Sequence, residues 1–218
     1  MSAQAAVTRI AGIVLAAGNS SRMGPERNKL VEEVAGRPLV AGPVDALLEA
    51  GIEPVLVVTG FEADRVRKAL GDRACRFFHH EAWAEGMGST LAHGVRTILA
   101  LASPPDALLV SVGDLPGLRA QHVAHIVEAA RASKNAIDPA RIVIPTHRGG
   151  RGHPVLFGAQ HFAALARLTG DQGGRSIFDA NEASVRTVEV EADAVIRDVD
   201  TPAELGTARA ASRGREGA

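Results

Sequence analysis

Two patterns of hydrophobic and polar positions alternate along this chain. Short apolar runs, bounded by glycine, proline or polar residues, have the length of buried strands. Between them, apolar residues recur at helical spacing and end at Gly51 or Gly71, which are typical helix C-caps. The predicted strands are Ile10–Ala17, Pro54–Thr59, Ala74–His79, Ala107–Val112 and Arg141–Pro145. The predicted helices are Pro38–Ala50, Glu62–Leu70, Gly88–Ala102 and Gln121–Ser133. Such alternation predicts an α/β fold, a single doubly wound and mostly parallel sheet with helices on both faces.

Beyond Pro145 the predicted elements are shorter. We expect strands at Val155–Phe157, Val185–Val190 and Val195–Arg197, and helices at Phe162–Leu168, Arg175–Asn181 and Thr201–Ala211. The last helix begins with Thr201 at its N-cap and Pro202 at its first position. We therefore expect one domain over residues 9–211, with halves at 9–118 and 119–211, between disordered tails at 1–8 and 212–218.

Composition narrows the class of protein. The chain has 218 residues, of which 46% are apolar, which suits an aliphatic sheet covered by helices. Its formal net charge of −1 gives no global field that would recruit nucleic acid or an anionic membrane. The single cysteine, Cys75, excludes an internal disulfide and is typical of a reducing cytoplasm. No apolar run reaches the ~20 residues of a membrane span. We expect a cytoplasmic protein that binds neither nucleic acid nor membrane.

The loop after the first strand carries the strongest chemical signal. Small residues around Gly18 and Gly24 let backbone N–H groups converge on phosphate oxygens, and Arg22 and Lys29 add two cations. The spacing does not match the P-loop, because Pro25 stands where that motif needs lysine. It does not match the dinucleotide fingerprint either. The loop therefore predicts a nucleoside triphosphate site of another kind.

Carboxylates at two other places predict a metal site. Asp114 directly follows an apolar strand, where it can meet the phosphate loop at the same edge of the sheet. Asp198 and Asp200 point the same way along an extended segment. The alternatives are an ordinary turn at Asp114 and helix capping by the later pair. Either Asp198 or Asp200 could complete a Mg²⁺ site with Asp114.

Three further segments are rich in glycine. Glu85–Leu91 places two glycines before a helix, whose N-terminus and Ser89 hydroxyl could meet a base or a phosphate, or simply cap the helix. Arg148–Pro154 combines glycine with charge and suits anion binding better than a core. Gly170–Arg175 has a similar composition. His79 and His80 have no partner at metal-ligand spacing, so we expect them in a loop or at the surface.

Taken in order, these motifs resemble those of the MobA-like nucleotidyltransferases, and within them the molybdenum cofactor cytidylyltransferases. Leu-Ala-Ala-Gly-Asn-Ser-Ser-Arg-Met-Gly at 15–24 and Asn-Lys-Leu at 28–30 are similar to the family signature. The resemblance implies a Rossmann-like nucleotidyltransferase fold. Its nucleotide-binding residues would be Leu15, Ala16, Ala17, Gly18, Ser20, Arg22, Gly24, Lys29, Gly86, Gly88, Ser89 and Asp114. Its Mg²⁺ ligands would come from Asp114, Asp198 and Asp200, and its acceptor-binding residues would be Arg148, Arg151, Gly152, His153, Asp171 and Arg175.

The resemblance also implies a reaction. CMP would pass from CTP to the terminal phosphate of molybdenum-loaded molybdopterin, and pyrophosphate would leave, with Arg22, Lys29 and Asp114 as catalytic residues. The half at 9–118 would bind the nucleotide and the half at 119–211 the acceptor. Alternatives are GTP, a different phosphorylated acceptor, an oxidoreductase, or a chaperone that carries the molybdenum cofactor to a hydroxylase; transient contact with such a hydroxylase is also expected. Leu115 departs from the polar residue that relatives more often have after the metal aspartate.

Overall fold

The computed structural model describes residues 8–24, 28–133, 135–191 and 193–216. The strands are β1 (Ile10–Ala16), β2 (Glu33–Val34), β3 (Arg37–Pro38), β4 (Val55–Thr59), β5 (Cys75–His79), β6 (Ala107–Val112), β7 (Arg131–Ser133), β8 (Ala136–Ile137), β9 (Ile142–His147), β10 (Gly150–Arg151), β11 (Val155–Gly158) and β12 (Val185–Glu189). The helices are α1 (Ala41–Glu49), α2 (Ala63–Leu70), α3 (Met87–Leu99), α4 (Ala120–Ala129), α5 (Phe162–Leu165), α6 (Arg175–Ala180) and α7 (Pro202–Glu216). Within the described ranges, none of these helices combines the length and the apolar character needed to cross a bilayer.

An eight-stranded sheet forms the centre of the fold. Its strand order is β10-β9-β11-β6-β1-β4-β5, and β12 pairs with β9 outside this path. β1 is parallel to both β4 and β6, with Ile13 opposite Leu56 on one side and Val110 on the other. The β4–β5 and β9–β12 pairs are also parallel. This arrangement confirms the doubly wound, mostly parallel sheet.

Two strands depart from the parallel arrangement. β11 lies antiparallel between β6 and β9, and the short β10 returns antiparallel along β9. Only a short segment joins β9 to β11, whereas a parallel connection needs a crossover of a dozen residues or more. The reversal is therefore a consequence of the short connection.

Helices cover both faces of the sheet, because neighbouring residues of each strand point to opposite sides. Val14 and its neighbours pack with Leu47 of α1 and with residues of α2 and α4, including Ile126. Ile13 faces the other side and packs with Val95 of α3 and with residues of α5 and α6, including Ile177. The two layers bury the continuous apolar runs that predicted the strands.

Several predicted boundaries differ from the structure. The helix expected over Gln121–Ser133 ends at Ala129, and the next residues form β7, which pairs with β8. The strand expected at Val195–Arg197 is not formed, because the Asp193 carbonyl accepts hydrogen bonds from the amides of both Ile196 and Arg197 and closes a turn.

The ends of the chain also differ from expectation. α7 continues to Glu216, so the structure describes helix in part of the segment expected to be a disordered tail. Thr8, placed in the expected N-terminal tail, donates a hydrogen bond from Oγ1 to the Asn135 carbonyl at 2.6 Å. The remainder of both expected tails, residues 1–7 and 217–218, lies outside the described residues.

Candidate active site

The loops after β1 and β6 meet at the carboxyl edge of the sheet and border a cavity of about 400 Å³. In a parallel sheet this edge is where ligands bind, because the loops leave the strands there. The cavity is lined by Leu15, Ala17, Gly18, Asn19, Lys29, Leu30, Trp83, Ala84, Gly86, Met87, Thr90, Val112, Gly113, Asp114 and Asp171. It therefore brings together the phosphate loop and the candidate metal aspartate, as their positions after neighbouring strands predict.

The loop after β1 is held in a conformation that leaves its glycines open. A side chain at Gly18 would meet no atom within 4 Å, and Gly24 has a φ of +95° that disfavours other residues. Ser20 does not line the cavity; its hydroxyl accepts a hydrogen bond from the Lys29 amide at 3.0 Å and ties the two ends of the loop together. Residues 25–27, which include Pro25, lie outside the described residues.

A cluster of charged side chains lies at one end of the cavity. The Lys29 ammonium donates to Asp114 Oδ2 at 2.5 Å and also to Asp200 Oδ1. The Arg22 guanidinium binds the other oxygen of Asp200. Both side chains of the Lys29–Asp114 pair are largely buried, with 14% and 12% of their surfaces exposed. The structure thus joins residues from the N-terminal and C-terminal halves of the chain in one ionic network.

The three candidate metal aspartates lie close enough to share one cation. Asp114, Asp198 and Asp200 each offer a carboxylate oxygen, and these oxygens lie within 4.8 Å of one another. Asp114 Oδ1 is buried and has no hydrogen-bond partner among the described residues, an arrangement that is costly without a ligand. Hard oxygen ligands of this kind suit Mg²⁺ or another hard divalent cation, so the residues fit such an ion.

The pKa shifts of the cluster also fit a bound cation. Burial alone lowers the pKa of Lys29, but the pairs with Asp114 and Asp200 outweigh burial and raise it, so the ammonium stays charged. Burial also opposes ionisation of Asp200, yet Lys29 and Arg22 hold its pKa below the usual range. The pKa of Asp198 is raised by burial and by repulsion from Asp114 and Asp200. A further cation would therefore favour the ionised form of Asp198.

The N-terminus of α3 forms another wall of the cavity. The loop between α5 and α6 packs against it and accepts hydrogen bonds from its amides. The amides of Gly88 and Ser89 donate to the Gly170 carbonyl at 2.7 and 3.2 Å. The Met87 amide donates to Asp171 Oδ1 at 3.3 Å. A side chain at Gly88 would overlap the backbone of that loop, including Gly170 O at 2.9 Å. The glycines of this segment thus permit close contact between two loops of the protein.

Because of this packing, Asp171 lies at a different place from the one the sequence predicts. Asp171 was expected with the acceptor-binding residues, but it lines the same cavity as Gly18 and Lys29. The reason is the pair of backbone bonds to Gly170, which brings the segment from the C-terminal half over the start of α3.

A polar network lies beneath the start of α3. The Ser89 hydroxyl donates to Glu85 Oε2 at 2.9 Å and lies 2.9 Å from His80 Nε2. His80 stacks on His93 with ring centroids 4.7 Å apart, and burial lowers the pKa of both imidazoles. His80 lies in the loop after β5 and His79 is exposed, as expected, but the side chain of His80 is buried in this network. Ser89 is bonded inside the protein and does not line the cavity.

The remaining acceptor-binding candidates are spread over the C-terminal half. Arg148 and Arg151 lie on the exposed β9–β10 hairpin, where the Arg148 amide donates to Glu189 Oε1 at 2.8 Å. Gly152 packs directly beneath the Val195 carbonyl. Arg175 begins α6 with 85% of its side chain exposed. The structure does not bring these residues to the cavity described above.

His153 is an acceptor candidate within electrostatic range of the carboxylate cluster. Its Nδ1 lies 3.3 Å from the Val110 carbonyl, to which it donates when the ring is neutral. Burial lowers the pKa of His153, while the Val110 carbonyl and the carboxylates of Asp114 and Asp198 partly oppose this effect. The imidazole is therefore neutral at pH 7, and the ring nitrogen Nε2 carries the lone pair when Nδ1 holds the proton.

Trp83 and Met87 are among the apolar residues of the cavity that the sequence did not identify as site residues. Trp83 packs edge-to-face on Phe61, with centroids 5.7 Å apart, and against Gly60, where a side chain would overlap the indole. Met87 is the large apolar residue that is most exposed in the described chain, at 49%. The signal that could have identified them is an isolated tryptophan and methionine beside the Glu85–Leu91 glycines.

Comparisons with known sequences find similar proteins over most of the chain. The family model of the MobA-like NTP transferase domain matches residues 12–186. The bifunctional protein GlmU of Anaeromyxobacter dehalogenans is 37% identical over 147 residues, which are 65% of this chain and 29% of that protein. The chain therefore spans less than a third of the length of the GlmU proteins it matches. Nicotine blue oxidoreductase of Paenarthrobacter nicotinovorans is 27% identical over 203 residues, covering 90% of this chain and 94% of that protein.

Solved structures share the fold over nearly the whole chain. A nucleotidyl transferase from Methanothermobacter superposes with a TM-score of 0.79 at 22% identity, covering 95% of this chain and 99% of that one. Rv0371c of Mycobacterium tuberculosis in complex with manganese superposes with a TM-score of 0.75 at 23% identity, covering 93% and 99%. At these identities the likeness establishes the fold alone.

Proposed function

Because this chain belongs to the MobA-like NTP transferase family and is a nucleotidyltransferase, we propose that its substrates are CTP and molybdenum-loaded molybdopterin. In this reaction CMP passes to the terminal phosphate of the pterin and pyrophosphate is released. The observation that carries the proposal is the ionic cluster of Lys29, Asp114 and Asp200, which borders a cavity of nucleotide size. We place the reaction in the cytoplasm, with Mg²⁺ as the metal.

The chemistry needs little from the protein beyond position and charge. An acceptor phosphate oxygen attacks the α-phosphorus of CTP, a new P–O bond forms, and the bond to the β-phosphate oxygen breaks as pyrophosphate leaves. The acceptor phosphate has a second pKa of ~6 and is largely dianionic at pH 7, so no general base is required. The task of the site is to align two anions and to offset their repulsion.

Each residue of the cluster has a role in this scheme. The amides around Gly18 cradle the phosphates, and Lys29 and Arg22 neutralise the charge that develops on the leaving pyrophosphate. Asp114, with Asp198 and Asp200, would hold a divalent cation. Such a cation, when bound, neutralises phosphate oxygens without any proton transfer.

The molybdopterin acceptor is supported by position as well as by resemblance. His153 lies within electrostatic range of Asp114 and Asp198, and we place the phosphate of the acceptor near these groups, from where it can reach the α-phosphorus. Arg148 and Arg151 lie on the hairpin that leads into this histidine and could hold the more distant parts of the acceptor. Transient contact with a molybdenum hydroxylase follows from the same proposal, because the product must be handed on.

One comparison favours a second candidate. The similarity to nicotine blue oxidoreductase extends over almost the full length of both proteins, so hydride transfer is the rival activity. The β1 loop lacks the glycine spacing of a dinucleotide fingerprint, which is why we rank this candidate second. Oxidation of NADH by the purified protein with a quinone-type dye would favour it.

The deciding experiment measures pyrophosphate release. Purified protein is incubated with Mg²⁺, molybdenum-loaded molybdopterin and each of the four NTPs. We expect release with CTP; release with GTP alone would instead assign the guanylyl reaction. No release with any NTP would overturn the transferase and leave a cofactor-carrying chaperone, which binding of the pterin would reveal.

A variant tests the metal assignment in the same assay. Asp114→Asn should lower metal-dependent release on the order of 10²-fold or more, because the substitution removes a charged ligand at the reacting phosphates. Asp72→Asn, an exposed carboxylate in the turn before β5, is the matched control and should keep full activity. Full activity of the Asp114 variant would show that the metal lies elsewhere.

A further inference from the structure

The cavity has two chemically different ends. The first end contains the ion pair of Lys29 and Asp114 and the phosphate loop at Gly18. Trp83, Met87 and Asp171 line the cavity at the start of α3, where the Met87 amide donates to Asp171 Oδ1, and we call this part of the lining its second end. A triphosphate needs the cations, so the nucleobase of a bound nucleotide must lie at the end that contains Trp83 and Met87.

This second end has the character of a base pocket. Trp83 and the half-exposed Met87 provide apolar surface for the faces of a planar ring. The Thr90 hydroxyl already donates to the Gly86 carbonyl at 3.1 Å, which leaves it without a hydrogen for a ligand. Among the described residues that line this end, Asp171 is the ionisable one. Ligand pockets commonly combine apolar walls with a few polar groups that fix specificity.

Asp171 is also held in a defined orientation. Its Oδ1 accepts the Met87 amide at 3.3 Å, and the carbonyl of its neighbour Gly170 accepts the amides of Gly88 and Ser89. The close approach depends on glycine at positions 86 and 88, where any side chain would overlap this loop. In the described part of the chain, Oδ2 of Asp171 has no hydrogen-bond donor. One carboxylate oxygen is thus fixed by the protein and the other remains for a ligand.

We propose that Asp171 determines the nucleobase, accepting a hydrogen bond from an exocyclic amino group. The inference rests on the proposed function in one respect, namely that the cavity takes a nucleoside triphosphate. Cytosine carries an amino group where uracil carries a carbonyl oxygen. A carboxylate attracts the amino hydrogens of cytosine, whereas it faces the uracil oxygen as a second acceptor and loses its own hydration. The site therefore selects amino-bearing bases and rejects uracil and thymine.

The size of the effect follows from similar sites. A group built to hydrogen-bond its ligand discriminates strongly against an analogue that lacks the donor, although exposure of the carboxylate weakens the effect. We expect the wild-type protein to bind a CTP analogue at least ~10-fold more tightly than the matching UTP analogue.

The test uses binding, so it does not depend on the acceptor. The affinities of the α,β-methylene analogues of CTP and UTP are measured by calorimetry in the presence of Mg²⁺. Asp171→Asn keeps one acceptor oxygen for the Met87 amide but replaces the other oxygen with a donor. This variant should lower the CTP-to-UTP affinity ratio ~10-fold or more and can reverse it, because its amide donates to the uracil oxygen. Asp171→Ala loses discrimination as well.

A matched control and two contrary results complete the design. Asp179→Asn removes a neighbouring carboxylate on α6 that is 63% exposed and does not line the cavity, and it should keep the wild-type ratio. An unchanged ratio in Asp171→Asn, or a wild-type preference for the UTP analogue, would overturn the inference and leave the transferase proposal intact. Failure of the wild-type protein to bind any NTP analogue would overturn the proposed function itself.

Discussion

Lys29 shows how one residue connects two parts of the site. From the sequence it is a phosphate ligand, since it follows the glycine loop. In the structure its ammonium lies between Asp114 and Asp200, the same carboxylates that could hold a metal. A divalent cation and Lys29 therefore compete for the same oxygens. An arriving triphosphate offers Lys29 another partner, so nucleotide and metal should bind more tightly together than apart.

Removal of the Lys29 charge should separate these effects. In Lys29→Met, Asp114 and Asp200 lose a compensating cation, and Mn²⁺ affinity without nucleotide should rise ~10-fold or more, since an ion pair at this range exceeds ~1.4 kcal/mol. Transfer activity should fall because the triphosphate loses its lysine. Mn²⁺ binding is measured by electron paramagnetic resonance, with Lys68→Met on the exposed face of α2 as the control. Unchanged or weaker Mn²⁺ binding in the Lys29 variant would contradict the competition.

At the scale of elements, the contact between α3 and the loop at 169–174 forms the wall of the cavity that contains Asp171. The helix begins with backbone N–H groups that need acceptors, and Gly170 and Asp171 supply them from the other half of the chain. The contact is possible because Gly88 has no side chain. Gly86 and Gly88 are needed for close packing between α3 and the loop, a role that sequence patterns alone do not show.

The substitution Gly88→Ala tests whether this close packing needs glycine. The added methyl group would overlap Gly170 O and neighbouring backbone, which cannot move as a flexible side chain can. We expect a loss of ~1–3 kcal/mol in the free energy of unfolding and a raised KM for the nucleotide. Gly206→Ala in α7 is the matched control: its methyl group would meet no atom within 4 Å, so it should stabilise the protein by ~0.5–1 kcal/mol. Equal effects of the two substitutions would refute the close packing.

The histidine pair under α3 makes the stability of this element sensitive to pH. Burial lowers the pKa of His80 and of His93 in the folded protein. In the unfolded chain both imidazoles have the ordinary pKa of ~6.5, so below this pH the unfolded chain binds more protons than the folded protein does. The stabilisation is present above pH ~6.5 and is lost as the pH falls through the lowered folded values. His93→Phe keeps a ring on His80 but removes one titrating group. Urea unfolding at pH 7.5 and 5.5 should show a smaller loss of stability in this variant than in the wild-type protein; an equal or larger loss would exclude the pair as its source.

At the scale of the whole molecule, local patterns predict part of the structure and contacts between distant segments determine the rest. β1, β4 and β6 follow from apolar runs that any neighbouring strand can bury, and the meeting of Gly18 with Asp114 follows because parallel strands end at one edge. The antiparallel β11 and the position of Asp171 depend on partners far along the chain. No residue near Asp171 indicates that α3 lies beneath it, so the motif alone suggested a different role.

The two halves expected from the sequence, residues 9–118 and 119–211, share one sheet. This predicts that neither half folds without the other. β11 from the C-terminal half covers the edge of β6, where Val155 lies opposite Val110 and Phe157 opposite Leu108. Without β11 the N-terminal half, residues 9–118, would expose an apolar, unpaired strand edge and lose Asp198 and Asp200 from the carboxylate cluster.

We expect the fragment 9–118 to show no cooperative urea transition by circular dichroism and to aggregate in size-exclusion chromatography. Co-expression with residues 119–218 should restore a folded complex, because the missing strands can pair with β6 in trans. A monomeric 9–118 fragment that unfolds cooperatively and binds CTP would contradict this. It would mean that the nucleotide site needs neither the sheet edge supplied by β11 nor the carboxylates of the C-terminal half, and the single ionic network around Lys29 would lose its functional significance.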